Sequence, residues 1–160
     1  MVGYLDNGPG TEHPKIVGDR TQLAVMAALY AAGYGLYVPF GENTRCDLIV
    51  ERDDGLMRVQ CKTGRLRSGT IRFAVCSVYA HHSNPKAIFR TYEGEIDAFA
   101  VYCPETSGIY LVPIAEVPNK RGCWLRTEAP RNNQLQRVRW ARDYEIGTVA
   151  IGGLRAPSGA

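Results

Sequence analysis

A chain of 160 residues with 45% hydrophobic and 22% charged residues can bury one core without metal or disulfide staples, and is too apolar to be intrinsically disordered. Its net charge of +3 excludes a polybasic nucleic-acid arm. Arginine still supplies fifteen of the nineteen cations; its planar fork of donors suits phosphate, although the codons of a GC-rich genome produce the same bias.

Residues 1–15 carry Gly and Pro without periodicity and read as a flexible arm, and residues 151–160 read as a flexible tail, leaving 16–150 as one domain. Asp19 or Thr21 can cap a helix that places Leu23, Met26, Ala27 and Tyr30 on one face and stops at Gly33. Residues 21–41 carry no formal charge, but Gly33, Gly35 and Pro39 break the run, so a buried helix and a short extended segment are expected rather than a membrane span. Residues 46–51 are rich in β-formers, Asp53-Asp54-Gly55 is a hairpin turn, and 56–62 return as the partner strand. A third strand follows at 71–78, a polar loop or short helix at 77–95, and two further strands of the same sheet at 96–102 and 109–113. The segment 131–142 reads as a short amphipathic element or an extended arm. The five cysteines, Cys46, Cys61, Cys76, Cys103 and Cys123, form no CxxC pair, their number is odd and the start of the chain does not read as a secretory leader. Four of them lie in apolar runs as small buried hydrophobes, and a reducing cytoplasm is expected.

Chemistry concentrates between Asp47 and Lys62. Strand alternation puts Gln60 and Lys62 on one face of the second strand and Val59 and Cys61 on the other. The hairpin folds Asp47 back toward that pair. A carboxylate oxygen and an amide oxygen are hard donors suited to Mg²⁺, with the Cys61 carbonyl as a further oxygen. A lysine beside them can orient water and offset charge in phosphodiester hydrolysis. The same three residues also occur by chance on a solvated sheet face.

The stretch GYGLYVPFGENTRCDLIVERDDGLMRVQCKTGRLRSGTIRF resembles the PD-(D/E)XK endonuclease family that includes group I intron homing endonucleases, which carry the Gln-x-Lys variant of the motif. The likeness extends through Ser77, IDAFAVYCPE, IYLVP and RWARDYEI, roughly residues 17–146. It implies an α/β (α+β) restriction-endonuclease-like core, a mixed β-sheet flanked by helices. It also implies a Mg²⁺-dependent endodeoxyribonuclease, with Mn²⁺ as a substitute ion. By the resemblance Asp47 is the metal-binding aspartate, Gln60 the residue that is Glu in the wider superfamily, and Lys62 the catalytic lysine. Many relatives have a Glu on the first helix, and Gln22 aligns there, which leaves Asp47 as the only anion. Asp19 lies three residues away, one turn displaced.

Arg65, Arg67 and Arg72 flank the second hairpin and are expected to track the backbone of double-stranded DNA, with Ser77, His81 and His82 as further DNA contacts; a solvated turn explains the arginines nearly as well. Arg131, Arg137, Arg139 and Arg142 form a second basic group, partly balanced by Asp143 and Glu145. Asp97 reads as a structural hydrogen-bonding residue, and Trp124 and Trp140 as packing. One site per chain and two strands to cut imply a homodimer or homotetramer. A catalytically silent DNA-binding protein on the same fold, and a Holliday-junction resolvase-like nuclease, are the alternatives.

Overall fold

In the computed structural model, residues 12–41, 43–81, 84–117, 121–129 and 137–146 are described, with side chains outside 79–87. Helix α1 (Pro14–Ala31) opens with Pro in its first turn, where the missing N–H is no loss, and the His13 side chain accepts the Lys15 N–H at 3.2 Å. It therefore begins upstream of Asp19, and the last two residues of the expected arm, Pro14 and Lys15, are helical. The buried face also differs from expectation. Thr21, Val25 and Leu29 point inward, whereas Leu23 and Tyr30 are 66% and 76% exposed. Apolar residues surround this helix on nearly every side, so periodicity does not select a face. Packing of Val25 and Leu29 on the sheet does, and on the same side Thr21 Oγ1 lies 2.6 Å from Thr63 Oγ1.

Thr63 ends the central strand of a five-stranded mixed sheet. Its strands are β1 (Gly35–Tyr37), β2 (Leu48–Arg52), β3 (Gly55–Thr63), β8 (Ala98–Cys103) and β9 (Gly108–Pro113), in the order β1-β2-β3-β8-β9. All neighbours are antiparallel except β3 and β8. Alternation divides the side chains between two cores. Leu48, Val50, Met57, Val59, Cys61, Ala98, Ala100, Ile109 and Leu111 pack under Val25 and Leu29. Phe99, Val101, Cys103, Tyr110 and Val112 face the other way.

That second face is covered by another sheet. Strands β4 (Arg65–Arg67), β5 (Thr70–Ala74) and β10 (Gly122–Arg126) form an antiparallel sheet in the order β10-β5-β4. Its Ile71, Phe73, Cys123 and Leu125 complete the core. Ser68 and Gly69, at φ 48° and 68°, supply the two left-handed residues that a tight β4–β5 hairpin needs. The expected strand at 71–78 is thus two strands, neither of them in the main sheet. The expected loop at 77–95 is an antiparallel ribbon of β6 (Cys76–His81) and β7 (Asn84–Thr91). A two-stranded ribbon leaves much of itself in solvent, so its polar composition hides the pairing. Among the described residues α1 is the one α-helix, joined by 3₁₀ turns at Ile114–Glu116 and Ala141–Asp143. None is long and apolar enough to cross a membrane. All five cysteines are free thiols.

Gly64 joins β3 to β4 at the tightest crossing. Its N–H donates to the Tyr102 carbonyl at 2.7 Å, and a Cβ there would sit 2.7 Å from Ile71 Cγ2 and 2.8 Å from Val101 Cγ1. Gly64→Ala should therefore destabilise the protein by roughly 1–3 kcal/mol through overpacking, read as a lower urea midpoint. An unchanged midpoint would mean that the two sheets separate easily.

Candidate active site

The site forms where the chain enters β2 alongside the middle of β3. The Asp47 N–H donates to the Val59 carbonyl at 2.9 Å, one position ahead of the Leu48–Val59 register pair. Parity then turns Asp47 to the face that Gln60 and Lys62 share, while Leu48, Val59 and Cys61 enter the core beneath α1. Asp47 Oδ2 accepts the Cys61 N–H at 2.8 Å and the Gln60 Nε2–H at 2.6 Å. The same Gln60 nitrogen lies 3.4 Å from the Cys61 carbonyl oxygen.

Burial pushes the Asp47 carboxyl above its ordinary value. The Cys61 N–H, the charge of Lys62 and the Gln60 amide pull it partly back. The Gln60 amide places its positive hydrogens against two oxygens, Asp47 Oδ2 and Cys61 O. That is the task of a cation. A rotation of the amide presents its oxygen instead, so the carboxylate, amide and carbonyl form a donor set of hard oxygens that fits a modestly held divalent ion. Among the described residues no three His, Cys, Asp or Glu side chains gather for a metal. Asp47 is the anion of this set. The Cys61 thiol is buried and raised well above its ordinary pKa by that burial, so its carbonyl and not its sulfur belongs to the site.

Lys62 shares the face, but its ammonium rests on Tyr92. Nζ lies 3.1 Å from the Tyr92 hydroxyl and 4.8 Å from the ring centroid. The Arg45 guanidinium lies against the same ring at 4.0 Å and is fixed by Glu95, by Ser77 Oγ at 2.9 Å and by the Thr91 carbonyl at 2.6 Å. Arg45 and Tyr92 were not legible as site residues. Tyr92 stands between polar residues, and the signal available was a lone aromatic in the RTYEGEID stretch. Glu95 is held below the usual carboxylate range, chiefly by Arg45.

Gln22 reaches the site from α1, donating from Nε2 to the Asp47 backbone carbonyl at 3.1 Å. Asp19 is exposed on the outside of the same helix. Ser77 is half-buried and accepts a hydrogen bond from Arg45. Arg65, Arg67 and Arg72 are exposed on the small sheet, and Arg65 has Glu105 at 3.8 Å. Asp97 binds Arg58, accepting its backbone N–H at 2.7 Å and its guanidinium at 3.0 Å. Arg139 donates to the Glu116 carbonyl and Arg142 covers Trp140; Arg137 is exposed at a left-handed turn. Trp124 is 45% exposed and packs over Gly122 on the outer face of the small sheet rather than in the core, because alternation on β10 sends Cys123 and Leu125 inward. His82, Arg131 and the His81 side chain lie outside the described residues.

A family model described as PD-(D/E)XK endonuclease matches residues 12–147. The fold is similar to a solved structure titled as that of a bacterial homing endonuclease, I-Ssp6803I, with a TM-score of 0.65 and 20% identity over 79% of this chain and 86% of that one. No curated protein matches the sequence.

The raised Asp47 pKa has a thermodynamic sign. The folded carboxyl holds its proton above the unfolded-chain value of about 3.9, so ionising it opposes folding. Wild-type protein should lose stability relative to Asp47→Asn as pH rises from about 4 to 7. Urea melts of both proteins across that range check this. A difference that stays constant with pH would mean that the carboxylate is freely solvated.

Proposed function

The chain belongs to the PD-(D/E)XK endonuclease family, and from that premise we propose that it is a divalent-metal-dependent DNA endonuclease that hydrolyses phosphodiester bonds. The observation that carries this reading is the meeting of Asp47, Gln60 and the Cys61 carbonyl within hydrogen-bond distance, with Lys62 on the same face. In this role Asp47, Gln60 and the Cys61 carbonyl hold Mg²⁺, or Mn²⁺ in its place. Bound there, the ion supplies a polarised phosphate and a water of lowered pKa.

The protein groups do the rest. Asp47 is kept from bulk water by its seat at the sheet, which strengthens its attraction for a cation. Lys62 places a positive charge where the phosphate becomes more negative, and it can donate a hydrogen bond to orient the attacking water. Tyr92 is a positioning residue: its hydroxyl and ring hold an otherwise flexible ammonium in one place. Gln22 braces the Asp47 backbone from the helix and brings no charge of its own. Double-stranded DNA is the proposed substrate, and cutting both strands calls for a homodimer or homotetramer, since the described residues of each chain hold one such site. The five free thiols fit a reducing cytoplasm.

A second reading has one observation behind it. With a single carboxylate at the site, the chain is a DNA-binding protein that cleaves nothing. Cleavage of branched DNA in preference to linear duplex would instead mark the junction-resolving variant of the nuclease.

Lys62→Ala should lower plasmid nicking in Mg²⁺ by about a hundredfold or more while leaving DNA binding intact, a loss expected for removal of charge stabilisation at the reacting phosphate. Equal rates for both proteins refute the assignment. Tyr92→Phe keeps the ring but removes the hydroxyl; nicking should fall about tenfold, as expected for one hydrogen bond to a charged group. If wild-type protein proves inert, Gln22→Glu separates the two readings. Metal-dependent cutting by that variant identifies the missing carboxylate as the cause of silence.

A further inference from the structure

The small sheet has an outer face that the hydrolytic chemistry leaves unused. Strand register puts Trp124, Arg72 and Arg65 side by side across β10, β5 and β4, and puts Arg126, Thr70 and Arg67 in the next row. Every second residue of these strands is buried toward the core, so both rows face outward. Cross-strand neighbours stand about 5 Å apart and successive rows about 7 Å. Four guanidinium groups and one indole therefore share a patch on the order of 10 Å across. Arg65 is partly balanced by Glu105. Among the described residues Arg67, Arg72 and Arg126 make no ion pair.

Two features of this face point to nucleic acid. Arg67, Arg72 and Arg126, spread over the two rows, match a chain of phosphates, which they can grip through paired donors. An indole left 45% exposed at the end of an arginine row adds nothing to the core, yet it offers a flat surface of the kind on which bases stack. The chain also links this sheet directly to the chemistry: β3 passes through Gly64 into β4, so Arg65 follows Lys62 by three residues.

We infer that the outer face of β10-β5-β4 is a DNA-binding platform on which Trp124 stacks against a base displaced from the duplex, while Arg65, Arg67, Arg72 and Arg126 hold the flanking phosphates. The inference rests on the DNA-endonuclease reading for its partner. It adds the surface, and it adds a substrate that is locally unstacked when bound.

Binding of the full chain to a labelled duplex and to the corresponding single strand, in chelator and without Mg²⁺, tests the platform apart from cleavage. Trp124→Ala should weaken binding about tenfold, as loss of one stacked base does, and Trp124→Phe should retain most of it. In a Trp140→Phe background the remaining indole should be quenched on adding DNA. Arg67→Ala and Arg126→Ala should each flatten the plot of log affinity against log salt by about 0.9. If Trp124→Ala binds like wild type with no quenching, while Lys62→Ala abolishes cleavage, the platform is overturned and the nuclease reading stands. If Trp124→Ala loses binding but wild-type protein never cuts, the platform stands and the nuclease reading fails.

Discussion

One carboxylate oxygen organises the centre of this protein. Asp47 Oδ2 takes both the Cys61 N–H and the Gln60 amide, so its side chain adds to the backbone bond from Asp47 N–H to the Val59 carbonyl in joining the start of β2 to the middle of β3. Without that acceptor, the Cys61 N–H would be a donor left beside a buried residue, which is costly. The interaction is structural and chemical at once. It ties the start of β2 to β3 and sets the amide, the carbonyl and the acid side by side.

The arrangement works against its own stability. Burial disfavours the ionised acid, and the neighbouring donors and Lys62 only partly offset that. A charge kept where water would solvate it better is characteristic of a functional group rather than a packing element. Asp97 makes the contrast. It is also an aspartate between apolar residues, but Arg58 embraces it and holds its pKa down. Two aspartates in similar sequence settings thus have opposite characters, and the partner across the strand decides which.

Local pattern made the central part of the fold legible. The Asp-Gly turn, the two strands around it and the apolar runs near 98–103 and 108–113 were readable because alternation and turn chemistry act within a few residues. The meeting of Asp47 with Gln60 was readable for the same reason, since one hairpin brings them together. What the sequence hid was set by distant partners. The buried side of α1 is set by the sheet it packs on, including Thr63, forty-two residues from Thr21. The ribbon of β6 and β7 is stabilised by pairing rather than by burial, so its polar residues gave no strand signal. Tyr92 and Arg45 meet Lys62 only because three separate segments converge, and no spacing rule encodes that. Trp124 packs on the outer face of the sheet, over Gly122, and not in the core, a placement that depends on strands β5 and β4 lying beside β10.

Gly64 carries a mechanical consequence. The backbone passes between Ile71 and Val101 with no room for even a methyl group, so the joint between the large and small sheets has no slack. A force applied to Arg65 travels along three residues of taut strand to Lys62 instead of dissipating in a loop. The small sheet is thus tied to Lys62 through a joint that Ile71 and Val101 wall on both sides.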